Sequence, residues 1–147
     1  MVSVPLGATV VFGGGPTVET LALVFIALQL TLSYCASGVA KFFGTTWRSG
    51  SAVGGVLRTA TWGIPIVSLR LDAHPVLSRY LTWSVMTGEA LFPVAVVLGG
   101  PVGFAVLSVY VLFHTIVASV MGLNRFTLWF LSAYPAVVFV MDRYALT

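Results

Sequence analysis

Charge is what this chain has least of. Its 147 residues include seven Lys and Arg and four Asp and Glu, 7% in all. Soluble domains carry about 25% charged residues, so this supply cannot clothe a water-facing surface. With 59% hydrophobic residues and a mean hydropathy of +1.04, the chain belongs in a bilayer. A net charge of +3, scattered along the sequence, excludes a nucleic-acid partner. The single cysteine, Cys35, excludes an internal disulfide and any cysteine-based metal cluster. Its place in an apolar run reads as ordinary packing. The two histidines, His74 and His114, have no second His three or four residues away, so no metal site is expected. Residues 1–19 hold no basic side chain and are broken by Pro5, Gly13, Gly14, Gly15 and Pro16, which reads as a lead-in and not a cleaved signal peptide.

Long apolar runs are what the chain does have. A membrane helix needs roughly 20 mostly apolar residues, and residues 20–43, 77–98, 102–121 and 126–144 qualify. Glu19 precedes the first, where an acid favours a helix N-terminus. Gly99, Gly100 and Pro101 form a tight turn, and residues 122–125 join the last two runs as an antiparallel hairpin. Residues 44–76 differ: Arg48, Arg58 and Arg70 accompany Trp47 and Trp62, as in a short helix lying at the membrane interface. The fold class is therefore all-α membrane protein, with four transmembrane helices and a short interfacial helix between the first and second. Arg48, Arg58, Arg70, Arg79 and Arg125 fall on one side and Arg143 on the other. The positive-inside rule then places the long loop in the cytoplasm and both termini outside.

Three ionisable side chains lie within the spans, Lys41, Glu89 and His114, and such residues are functional candidates by default. Gln29, Ser33, Ser37 and Lys41 recur at every fourth position, a polar stripe that ends in the only lysine. Lys41 either snorkels to headgroups or acts as an amine base. Side chains lean toward a helix N-terminus, so this one leans back toward Ser37 and into the bilayer. Glu89 sits near the midplane with Pro93 four residues on, which frees its carbonyl and is expected to kink the helix. It must pair or stay protonated. His114 reaches a similar depth from the other side, as a packing residue or a catalyst. If the three converge, they suit proton abstraction from a lipophilic substrate or a proton relay.

Two stretches carry a resemblance. YCASGVAKFFGTTWRSG, Tyr34 to Gly50, is similar to the Y-x-x-(S/A)-G-x-x-K…W-x-x-G signature of the vitamin K-dependent γ-carboxylase-like membrane family, the HTTM domain. FHTIVASVMGLNRFTLWFLSAYPAVVF, Phe113 to Phe139, resembles that family's second signature, in which a His opens a helix and an aromatic-rich helix ends in Tyr-Pro. Glu89 is a catalytic candidate by its depth in the membrane, and the resemblance implies Lys41 as the base that deprotonates a hydroquinone, with His114 at the second signature's histidine. It makes Tyr34, Ser37, Trp47 and Arg125 expected pocket residues. No cofactor is evident in the residues themselves; a vitamin K-type hydroquinone is implied by resemblance alone.

Full family members carry further helices before the first signature, and many add a β-rich region after the second. This chain is therefore expected to be partial, or to need a homo-oligomer or a separate partner chain beside the lipid bilayer. Bacterial relatives that mature secreted toxins point to the bacterial plasma membrane. The family's active site opens on the non-cytoplasmic face, opposite to the charge-based orientation. Two alternatives stand beside the enzyme: a non-catalytic accessory subunit for maturing or exporting a secreted peptide, and a small DoxX-like, quinone-associated membrane protein. The stretch from Phe113 onward argues against the last.

Overall fold

The structure, a computed structural model, describes residues 15–59 and 65–146. Among these residues it is all-helical: α1 (Pro16–Phe43), α2 (Thr45–Ser49), α3 (Ala52–Leu57), α4 (Pro65–Ala73), α5 (Pro75–Leu98), α6 (Gly100–Met121) and α7 (Asn124–Tyr144). Three of them, α1, α5 and α6, are long and apolar enough to cross a membrane, which fits an integral membrane protein.

The helix ends follow from local chemistry. Proline occupies the first turn of α1, α5 and α6, where its missing N–H has no intrahelical acceptor to lose. Glu19, expected just ahead of the first helix, lies inside the first turn of α1. Gly99 alone separates α5 from α6, at φ 59° and ψ −147°, a backbone open to glycine. A Cβ there would also strike the Ala145 side chain. α5 runs through Pro93 as one helix.

α1, α5, α6 and α7 form a bundle. α1 packs most extensively on α5 and next on α7, while α6 packs on α7 and α5. The pairings Lys41–Glu89, Gly38–Ala90 and Tyr34–Phe92 descend α1 as they climb α5, so these two helices are antiparallel. The core is aromatic at its centre: the Tyr34 ring lies 4.4 Å from Phe92 and 4.8 Å from Tyr110. Phe92, Met86 and Val137 are among the largest fully buried side chains. Outward faces are apolar instead of polar, with Phe25, Leu32, Leu91, Val109 and Leu112 all at least 60% exposed. In water such faces would be an aggregation liability, and against lipid chains they are solvated.

Among the described residues, the segment between the first two spans holds three short helices, α2, α3 and α4, where one short interfacial helix was expected. Glycines 44 and 50 end α2 at both sides, which breaks the run before it can lengthen. Trp62 and the lead-in before residue 15 lie outside the described residues. This cap covers the first half of α5, which extends past the end of α1. Fully buried Thr82 fastens it: its Oγ1 accepts from Val53 N–H at 3.3 Å and lies 3.1 Å from the Gly50 carbonyl, which Ser78 also reaches. Arg58 and Asp72 pair at 2.6 Å on the exposed rim of the cap.

Candidate functional site

A cavity of about 250 Å³ lies where the bundle meets the cap. α1 and α6 share no broad contact, and α5 and α7 bridge between them. α1 supplies Ser33, Tyr34, Ser37 and Lys41 to its wall, which is the polar stripe without its first member. Gln29 is exposed and lies outside it. α5 adds Glu89 and Val85. Trp47 of α2, Phe113 and His114 of α6, and Phe126 and Phe130 of α7 make the aromatic side.

Lys41 is two residues from the end of α1, and its side chain turns back along the helix. Its Nζ donates to Ser37 Oγ, one turn earlier, at 2.6 Å and to the Glu89 carboxylate. The two partners are 16% and 11% exposed, and the Trp47 ring lies 5.0 Å from the amine. A charge this close to an aromatic face is held by the ring quadrupole as well as by the carboxylate. Gly38 makes the pairing reachable. Its bare Cα lies against the Ala90 backbone, so that α1 and α5 touch at the turn below Lys41.

His114 forms the second polar group. It is 2% exposed, its ring stacks on Phe130 at 4.8 Å, and its Nε2 is bonded to the Tyr34 hydroxyl. Tyr34 in turn shares a 2.8 Å hydrogen bond with the hydroxyl of Tyr134 from α7. His114 Nδ1 has no hydrogen-bond partner, and it is the one such buried side-chain atom among the described residues.

The sequence candidates therefore divide. Lys41, Glu89 and His114 all line one cavity, with Lys41 and Glu89 in direct contact and His114 bonded to Tyr34 instead of to either. Tyr34, Ser37 and Trp47 line it too. Arg125 does not: it is exposed in the first turn of α7, and its neighbour Phe126 takes the inward place. One residue is about 100° of helix rotation, enough to turn the guanidinium away. Tyr134 is the residue sequence reading passed over. It lies 100 positions from Tyr34, and only its Tyr-Pro context marked it. A larger depression of about 540 Å³ lies at the α4–α5 junction, but it offers only the Tyr80 phenol and His74, which donates from Nδ1 to the Arg70 carbonyl at 2.9 Å. No group of metal-ligating side chains occurs among the described residues.

Chemically, the cavity offers an amine and a carboxylate that can share one proton, an imidazole with a free ring nitrogen, and aromatic walls suited to a flat apolar guest. No protein-family model, curated protein or solved structure matches the chain.

Proposed function

We propose that this chain is a membrane-embedded proton-transfer protein of the γ-carboxylase-like (HTTM) kind, in which Lys41 is the base toward a hydroxyl of a lipophilic, hydroquinone-type substrate. One observation carries the reading: the only lysine is held by Ser37 and Glu89 at the edge of a cavity walled by Trp47, Phe113, Phe126 and Phe130. Lys41 and Glu89 are in direct contact, so one proton can lie on either partner, giving an ammonium–carboxylate and an amine–carboxylic acid form. In the second form the amine takes the proton of a substrate O–H. The O–H bond breaks, an N–H bond forms, and the substrate oxygen is left as an anion beside the new ammonium.

In this reading α7 is the fourth span and the cap lies at the interface. Exposed Leu128 and Trp129 on α7, and arginines 48, 58 and 70 on the cap, support those placements. A homo-oligomer or partner chain belongs to the reading as well, in a bacterial plasma membrane.

A second reading has its own observation. Glu89 already meets the charge of Lys41, as in a structural fastener of a non-catalytic accessory subunit.

The two separate on variants in lipid nanodiscs, assayed for protein-dependent oxygen uptake with a vitamin K-type hydroquinone. For a base, Lys41→Ala and Lys41→Arg both abolish uptake, because a guanidinium does not give up its proton. For a fastener in a non-catalytic subunit, the wild type itself shows no uptake, and Lys41→Arg keeps wild-type thermal stability. Uptake that is indifferent to both variants would sink the base assignment.

A further inference from the structure

The unpartnered nitrogen of His114 and the two-phenol chain behind it determine which way the imidazole's proton points. The chain runs Tyr134 hydroxyl, Tyr34 hydroxyl, His114 Nε2, and all three side chains are buried. Three proton arrangements keep both bonds. In the first, Tyr134 donates to Tyr34, Tyr34 donates to a bare Nε2, and the imidazole proton sits on Nδ1. Both phenol protons then have acceptors, and the sole unmet group is the Nδ1–H.

In the second, Nε2–H donates to Tyr34 and Tyr34 donates to Tyr134. The Tyr134 proton then has no acceptor among the described residues, where Tyr34 is the one hydrogen-bond partner of Tyr134, and the Nδ1 lone pair is unmet as well. In the third, Nε2–H and Tyr134 both donate to Tyr34, whose own proton is then unmet together with the Nδ1 lone pair. The first arrangement leaves one buried group unsatisfied and each of the others leaves two. Buried unsatisfied groups are what folded proteins avoid.

We infer that Tyr34 and Tyr134 are positioning residues that lock His114 in the tautomer with its proton on Nδ1, so that the ring, which lines the cavity, keeps one unmet buried donor beneath its wall for an acceptor oxygen of the guest. This deepens the proposed function and rests on the same cavity. It assigns the imidazole the part of holding an oxygen and leaves proton removal to Lys41. It also restricts the guest to a flat apolar molecule with a carbonyl, ether or anionic oxygen placed at His114, stacked beside Phe130, which already lies against the ring at 4.8 Å.

The test needs no turnover. The full chain, labelled with heavy nitrogen in its two histidines, is placed in nanodiscs and the ring nitrogens are read by NMR, with His74→Gln assigning the signals. Wild-type His114 is expected to show a protonated Nδ1 and a pyridine-type Nε2. Tyr34→Phe removes the partner of Nε2 and is expected to move the proton to Nε2. Tyr134→Phe leaves Tyr34 free to donate or accept and is expected to give a mixture of the two tautomers. Tyr110→Phe is the control for packing: its ring sits 4.8 Å from Tyr34, it makes no bond to His114, and its loss leaves the His114 pattern unchanged.

The guest is probed with acetophenone, an aryl ketone with one acceptor oxygen, against the isosteric hydrocarbon α-methylstyrene. The ketone alone is expected to shift the Nδ1 resonance. A wild-type His114 protonated on Nε2 overturns the inference, as does a pattern indifferent to Tyr34→Phe or an equal response to both probes. Should either phenylalanine variant fail to fold, the wild-type tautomer and the two probes still decide. None of these readings depends on Lys41, so their failure leaves the base assignment standing, and failure of the base assignment leaves them intact.

Discussion

Gly38 of α1 lies directly against the backbone of Ala90 in α5: a Cβ added to Gly38 would sit 2.8 Å from the Ala90 Cα and from the Glu89 carbonyl carbon. Both obstacles are main chain and cannot swing aside. Gly38→Ala is therefore expected to force the helices apart and lower stability by about 1–3 kcal/mol, the usual range for overpacking. The same shift carries Lys41 from Glu89. Gly55→Ala in α3, where nothing lies within 4 Å of the added carbon, is expected to be neutral or mildly stabilising. Thermal unfolding in detergent compares them, and a Gly38→Ala protein as stable as wild type removes the close-packing argument.

The Lys41–Glu89 pair is open to a double-mutant cycle. Removing one partner of a buried pair strands the other charge and costs about 3–5 kcal/mol when burial is complete. At 16% and 11% exposure the cost here is expected near the lower end, about 3 kcal/mol, for either Lys41→Met or Glu89→Gln. The double variant is expected to recover most of that loss, because no charge is then left unpaired. Strictly additive losses in chemical denaturation would mean that the pair is uncoupled.

Helix positions were legible because their signals are local. The sequence-based spans begin within about four residues of α1, α5, α6 and α7, since apolar runs and prolines at N-termini act over one or two turns. The polar stripe on α1 was legible for the same reason: fourth-residue spacing puts Ser33, Ser37 and Lys41 on one cavity wall. The division of the cap into short helices was less legible, because its glycines weaken helical continuity while its Trp and Arg content still looks amphipathic. The Tyr34–Tyr134 bond and the orphaned His114 nitrogen were beyond reach. They depend on how α6 and α7 rotate against α1, which periodicity within a single helix does not set.

Thr82 is expected to hold the cap to α5. It is fully buried, lies 3.1 Å from the Gly50 carbonyl and receives the Val53 N–H. Thr82→Val preserves shape but removes the hydroxyl, leaving the Val53 N–H without that acceptor, a loss of about 1–3 kcal/mol for a buried group. The loss is expected to be local. Amide exchange over α2 and α3 should quicken while the core of α6 keeps its protection. Uniform quickening across the bundle would instead make Thr82 a determinant of global stability.

Length and direction make α7 the fourth span of the proposed reading, and its crossing is open to test. α6 is apolar enough to span, and a turn at residues 122–123 sends α7 back along it. Twenty-one residues rise about 31 Å at 1.5 Å each, matching a hydrocarbon core of about 30 Å. Charged side chains fall at the two ends, Arg125 at one and Asp142 and Arg143 at the other, while Leu128 and Trp129 face outward between them. An interfacial helix would distribute its charges along one face. Cys35 is the only cysteine, so a Cys35→Ala background reports on single cysteines placed at Asn124 and Tyr144. In sealed vesicles an impermeant thiol reagent is expected to reach the two from opposite sides. Labelling of both from one side would lay α7 along the membrane surface and leave three spans. Which end reacts from outside also fixes the orientation on which the arginine bias and the family resemblance disagree.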